Sequence, residues 1–292
     1  MDKEKAQLIV QNLDCDERLM THRVGRWCAW PIVKTPLFSY LLAADNQLPN
    51  TMEEHTKNAS KEYISLLNES ILGIVQLLKQ GGLKDRPQLL FLTYSNSRSE
   101  KTSDGRFLDI FTDELITSNK LKFSAFVVEK PSNWGHLKPT VGPVHLYEER
   151  LLLFRKILSK ILCTKNRLFQ TVENLVRILS NAEFPMNPDV LHRLVKYHIC
   201  KFEADRFIYR LILGKRNVRG LLVLDSDTVI GQVAAAKELN IPVFEFQHGQ
   251  IGQEHVGYQW DVKLLKNKRN MPIPDYIFVY GPFWQKMLTN KG

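Results

Sequence analysis

Residues 221–249 read LLVLDSDTVIGQVAAAKELNIPVFEFQHG. The opening LLVL is an uninterrupted apolar burst, as a strand buried on both faces requires. Asp225, Ser226, Asp227 and Thr228 follow and offer several helix N-caps, Asp225 and Asp227 being capping residues first and ligand contacts second. GQVAAAKEL (231–239) then reads as a short alanine-rich helix, Asn240-Ile241-Pro242 as a turn, and VFEFQHG (243–249) as a second strand. Strand, helix and strand in that order make a βαβ unit and a parallel sheet. Working outward, LLFLTY (89–94) is another buried strand, followed by the polar loop SNSRSEKTSDG (95–105). A helix is expected over 107–117 and a strand, FSAFVVE, over 123–129, which completes a second unit. Downstream, Pro274-Asp275 introduces the strand YIFVYG (276–281), and Pro282 opens a helix, FWQKML. The expected fold class is α/β with a parallel sheet.

The remaining segments are harder to assign. Residues 1–55 read as an irregular lead-in, rich in Trp and Pro (RWCAWPIVKTPLF) and packed on the core of an α/β domain spanning 56–292. Apolar residues from Ile64 to Leu78 recur at helical spacing and predict a helix over 56–80. A helical insertion is expected at about 145–214, in two long helices. Leu151, Phe154, Leu158, Ile161, Leu168, Val172, Leu175 and Leu179 trace the stripe of the first. Asn187-Pro188-Asp189 opens the second, which runs to Gly214.

Composition excludes several classes. Hydrophobic residues at 44% and charged residues at 24% of 292 are ordinary globular values, unlike disordered or collagenous chains. No run approaches the roughly 18 apolar residues of a membrane span, and MDKEKAQLIV lacks the apolar region of a secretory leader. The expected location is cytoplasmic, or peripheral at the inner face of the plasma membrane. Cys15, Cys28, Cys163 and Cys200 show no C-x-x-C pairing and are expected to be reduced small hydrophobes. The net charge of +9 is concentrated: residues 120–220 hold 19 Lys and Arg against 8 Asp and Glu. Arg150, Arg155, Lys156, Lys160, Lys165 and Arg167 crowd the first long helix. They fit a solvated face, or attraction to an anionic membrane or lipid pyrophosphate. Nucleic acid is not an expected partner, because no readable binding motif is present.

Neither G-x-x-x-x-G-K-[ST], G-x-G-x-x-G, H-E-x-x-H nor G-x-S-x-G occurs. The densest chemistry is Glu245, Gln247, His248 and Gly249, with Gly252, Glu254, His255, Gly257 and Tyr258 close behind. It follows the carboxyl end of a parallel strand, where open α/β sheets bind ligands. A histidine there can exchange a proton near neutral pH. On a strand Glu245 and His248 face opposite sides, so no metal is expected and no cofactor is implied. Ser95, Arg98 and Asp104, in the loop after another strand, either face the same cleft or form a solvated turn. Asp109 and Asp113 are expected on an exposed helix face.

The runs IPVFEFQHGQIGQEHVGY and PIPDYIFVYGPFWQKML resemble the end of the N-terminal, acceptor-side domain of bacterial GT-B-fold glycosyltransferases of capsule and lipopolysaccharide biosynthesis. GRWCAWPIVKTPLF and residues 89–116 are similar more loosely. The resemblance implies a Rossmann-like sheet forming one half of a GT-B fold. It implies sugar transfer from a nucleotide-sugar donor to a glycan or lipid-linked acceptor. The C-terminal donor-binding domain is expected to be absent, or supplied by a partner chain. His248 is then the first candidate for the base and Glu245 the second, or Glu245 orients the histidine. Gln247, Gly249, His255 and Tyr258 line the acceptor side, joined by Ser95, Arg98 and Asp104. A more distant similarity, to teichoic-acid-type glycerophosphate transferases, gives the alternative activity. A non-catalytic scaffold derived from a glycosyltransferase is the other reading.

Overall fold

The structure, a computed structural model, describes residues 2–43, 68, 70–73, 75, 88–118, 124–130, 139–249, 255–260 and 268–289. The helix expected over 56–80 lies largely outside the described residues. So do Gly252 and Glu254.

The N-terminal segment is ordered into elements, which corrects the expectation of an irregular lead-in. Helix α1 (Lys3–Asp14) is capped by Asp2, whose carboxylate accepts from the Lys5 N–H at 2.7 Å. Its Ala6, Val10 and Leu13 recur at i, i+4 and i+7 and are buried, the signature of one packed face. Asp16 caps α2 (Glu17–Thr21) in the same way. A hairpin of β1 (Arg23–Val24) and β2 (Trp27–Cys28) leads into α3 (Trp30–Ala43). Pro31 sits in the first turn of α3, where its missing N–H costs nothing.

The core is a six-stranded parallel sheet. Its strands are β3 (Gln88–Tyr94), β6 (Ser124–Lys130), β7 (Leu146–Tyr147), β8 (Val218–Val223), β9 (Val243–Phe246) and β10 (Tyr276–Phe278). They lie in the order β7-β6-β3-β8-β9-β10, every pair parallel. Chain order runs outward one way from β3 and then the other way from β8, as in a Rossmann fold. The reversal sits between β3 and β8.

Between β3 and β6 the chain departs from expectation. Residues 98–109 form an antiparallel hairpin, β4 (Arg98–Lys101) with β5 (Phe107–Asp109), and only α4 (Asp113–Thr117) is helical. Asp109 and Asp113 are buried, not exposed. The cause is Arg98, fully enclosed and ion-paired to Glu129 at 2.5 Å and Asp113 at 3.0 Å. Asp109 accepts from Ser97 Oγ and from the N–H groups of Phe111 and Thr112, which shapes the turn into α4.

Residues 152–214 form three helices, not two: α5 (Leu152–Cys163), α6 (Asn166–Asn181) and α7 (Pro188–Gly214). The chain turns at Thr164, whose hydroxyl caps the Ile161 carbonyl at 2.7 Å. Leu162 and Leu168 on either side of the turn are both buried in one cluster. Asn187 caps α7 as the Asn-Pro-Asp sequence predicts, accepting from the N–H groups of Asp189 and Val190. Helix α7 is core rather than an appendage. Its C-terminal half (Ile208, Tyr209, Ile212) packs with the sheet and α8 (Ile230–Glu238). Its N-terminal half (Leu191, Val195, Ile199) packs with α1, α3 and α6. Cys163 and Cys200 are joined in a disulfide between α5 and α7, with Cα atoms 5.7 Å apart, contrary to the expected reduced state. Helix α9 (Pro282–Thr289) follows β10. Among the described residues no helix is long and apolar enough to cross a membrane.

Candidate active site

The strands end in a cleft at the β3/β8 reversal, where loops diverge to opposite faces and open α/β sheets place their ligands. Tyr94, the last residue of β3, and Thr228, beyond β8, bridge the reversal with a 2.5 Å hydroxyl contact. Strand β8 continues into Leu224-Asp225-Ser226-Asp227-Thr228 before α8. No side chain caps α8, whose N-cap residue is Val229. The expectation that Asp225 or Asp227 caps this helix is therefore incorrect. Both acids are committed to the cleft instead.

Three carboxylates converge there. Glu245 interrupts a row of otherwise aliphatic residues running across the sheet from Val128 through Leu92 and Val223 to Ile277. It is fully buried and accepts the Tyr258 hydroxyl proton and the Ser226 N–H. Burial pushes its carboxyl up to about 7, opposed by those hydrogen bonds and reinforced by the charge of Asp225. Asp227 is pushed well above the carboxylate range, first by burial, then by its hydrogen bond to Asp225 and repulsion from Asp225 and Glu245. It carries a proton at neutral pH. Among the described residues, Asp225 Oδ1 and Glu245 Oε2 are buried with no hydrogen-bond partner. Such acceptors match the hydroxyl donors of a polyol ligand. Among the described residues no three His, Cys, Asp or Glu side chains form a metal-binding set.

The N-terminal elements hold the loop that carries Tyr258. Lys34 of α3, buried, donates to Asp14 at 2.6 Å and to the Gln259 carbonyl at 2.5 Å. Gln11 of α1 donates to Gln259 Oε1 at 2.7 Å. Gly257 lies so close to Asp227 that a Cβ there would sit 2.4 Å from Oδ2. Only glycine permits this approach.

A cavity of about 460 Å³ adjoins the carboxylates, lined by Thr35 of α3, Lys130 of β6, His198 and Lys201 of α7, and Asp227 and Thr228. Beneath it, Arg155 pairs with Glu148 at 2.9 Å and also with Asp205, and Lys201 pairs with Asp205 at 2.8 Å. Arg155 thus leaves the basic stripe and becomes part of the core. A larger cavity, about 700 Å³, is lined by Ile241, Pro242 and Asp275 just before β9 and β10. It lies at the opposite, amino-terminal end of those strands, away from the carboxylates.

The structure brings together some of the residues that the sequence singles out. Glu245 and Tyr258 are in direct contact, and His255 packs on the Tyr258 ring at 4.7 Å. Gln247 is buried in a bracing role: it donates to the Gly249 carbonyl at 2.8 Å and accepts the Tyr280 N–H at 3.0 Å. Gly249 and His248 are exposed beyond the end of β9. Ser95 is buried just past β3. Arg98 belongs to its buried ion network and does not line the cavity. Asp104 lies at the tip of the β4–β5 hairpin, half-exposed, in a pair with Arg106 that lowers its carboxyl pKa. Lys130, Thr228, Tyr94 and Thr35 escaped sequence reasoning. The only available signal was that Lys130 and Thr228 directly follow apolar strands.

No known protein family, curated protein or solved structure matches the chain.

Proposed function

We propose that this chain is the acceptor-side half of a GT-B-type glycosyltransferase, in which Glu245, acting through Tyr258, takes the proton from the acceptor hydroxyl. The observation that carries the reading is the buried Glu245–Tyr258 pair at the carboxyl end of β9, with the glutamate held near 7. A general base is most effective when its pKa lies near the working pH. Glu245 has no exposed surface, so the proton reaches it by relay. The acceptor hydroxyl donates to the Tyr258 oxygen as the Tyr258 O–H passes its proton to Glu245. The unpaired oxygens of Asp225 and Glu245 keep the cleft floor rich in hydrogen-bond acceptors behind Tyr258. On this reading His248, exposed at the lip, contacts substrate rather than serving as the base. The donor is a nucleotide sugar, whose binding domain is a second chain segment or a partner, and the acceptor is a glycan or a lipid-linked glycan. Glycerophosphate transfer would use the same base on the same kind of hydroxyl.

The outer faces of α5 and α6 fit a lipid-linked acceptor at an anionic membrane. There Lys156, Lys160, Lys165 and Arg167 are exposed beside Ile157, Ile161 and Phe169, which are about half-exposed.

The test is nucleotide-sugar consumption by the full chain with its donor-binding partner. Glu245→Gln lowers the rate by roughly 10²-fold or more while remaining folded at pH 6, whereas His248→Ala retains most of it. The reverse pattern would overturn the assignment.

A further inference from the structure

We propose that the cavity between α3, α7 and the ends of β6 and β8 binds a phosphoryl or diphosphate group, held by Lys130 and Lys201 against the N-terminus of α8. Lys130 is the decisive residue. It is largely buried, lines the cavity, and among the described residues makes no hydrogen bond or ion pair. Its recorded contact is the face of the Tyr94 ring, 5.0 Å away. Glu148 and Asp205 attract its ammonium from a distance, but neither pairs with it, and a largely buried cation without a direct partner is costly; an anion in the cavity lowers that cost.

The surroundings match an anion in two further ways. Helix α8 starts at the cavity with Ile230 and Gly231 and has no side-chain cap, so its first N–H groups are open to an acceptor. Of the nearby acids, Asp205 is paired with Arg155 and Lys201, Glu148 with Arg155, and Asp227 is protonated, which leaves Asp225 as the charge an anion faces. His198, lowered to about 4 by burial and by Lys201, stays neutral. Beside the hydroxyls of Thr35 and Ser39, the remaining lining (Ile32, Pro36, Tyr197 and Phe202) is apolar or aromatic, so the group carrying the phosphate is a nucleoside or a lipid. The inference rests on the transfer reading only for what the bound group is. Binding itself stands on the cavity.

The experiment is calorimetric titration of inorganic pyrophosphate into the full chain. Saturable binding at one site is expected. It weakens about tenfold or more in Lys130→Gln and in Lys201→Gln, as for loss of a charge-assisted bond, and recovers in Lys130→Arg. Melting temperatures are read in parallel, and Lys130→Arg guards against a folding defect in the glutamine variants. Competition then separates the sources: uridine diphosphate displacing pyrophosphate at lower concentration assigns a nucleotide, and farnesyl diphosphate doing so assigns a lipid-linked group. Absence of saturable binding, or binding untouched in both glutamine variants, overturns the proposal. A failed transfer assay by a chain that still binds pyrophosphate refutes only the transfer reading.

Discussion

Replacing Glu245 with Gln changes how stability depends on pH, and the size of the effect follows from burial. In the unfolded chain the carboxyl ionises near 4.5, and in the folded chain near 7. Between those values the native state keeps a proton that the unfolded state has released. Stability therefore falls as pH rises through this window. Below 4.5 both states are protonated and nothing is lost. Above 7 the native state holds an ionised carboxylate in a fully buried site. A difference of about 2.5 pH units corresponds to roughly 3 kcal/mol in full, and about 2.5 kcal/mol falls between pH 5 and pH 8. The glutamine variant keeps the shape and can still accept from Tyr258, but it has nothing to titrate. Equilibrium urea unfolding of both proteins at pH 5, 6, 7 and 8 reads the difference. The variant is expected to gain about 2.5 kcal/mol on the wild type across that range. A difference that stays constant with pH, or that moves the other way, refutes the argument that burial holds this carboxyl near 7.

Three other outcomes follow from the packing. Arg98→Ala leaves Glu129 and Asp113 buried without their counter-charge and should cost about 3–5 kcal/mol, read as a large drop in melting temperature. Gly231→Ala, favourable in an isolated helix, is destabilising here by about 1–3 kcal/mol in urea unfolding. Its Cβ would lie 2.7 Å from Asp205 Cβ and 2.9 Å from the Phe202 carbonyl oxygen. Removing the Cys163–Cys200 bridge by a double serine substitution frees a loop spanning 37 residues and lowers stability by about 3–4 kcal/mol. Dithiothreitol should lower wild-type stability by a similar amount and leave the double variant unchanged.

The strands were legible because they are buried on both faces. LLVL, LLFLTY and FVV have no charged residue to disguise them, and the structure puts β3, β6 and β8 at the centre of the sheet. Helix α7 was legible through its Asn-Pro start. The 98–109 hairpin was not. Arg98 and Asp113 look like solvated polar residues until Glu129, 31 positions from Arg98, supplies the charge that draws them inside. The N-terminal helices were obscured by Pro31, Pro36 and the tryptophans, although Asp2 and the spacing of Ala6, Val10 and Leu13 announce α1. In the site, the polar run after β9 pointed to the strand end where the three carboxylates gather, and Glu245 stood out as a charge within VFEF. Asp227 was misjudged because its residue type and position suit a cap equally well. What assigns it to the cleft is the close approach of Gly257, contributed by a loop 30 residues later. Lys130 carries no local signal beyond its place at the end of an apolar strand, because its surroundings come from α3, α7 and the segment after β8.

The central claim is that the Glu245–Tyr258 pair at the end of β9 moves the proton. The pH dependence of nucleotide-sugar turnover tests it most directly. The account predicts a rate that rises with pH through a midpoint near 7 in the wild type and equally in His248→Ala. That limb should be lost, with most of the rate, in Glu245→Gln. A limb that disappears in His248→Ala and persists in Glu245→Gln would contradict it.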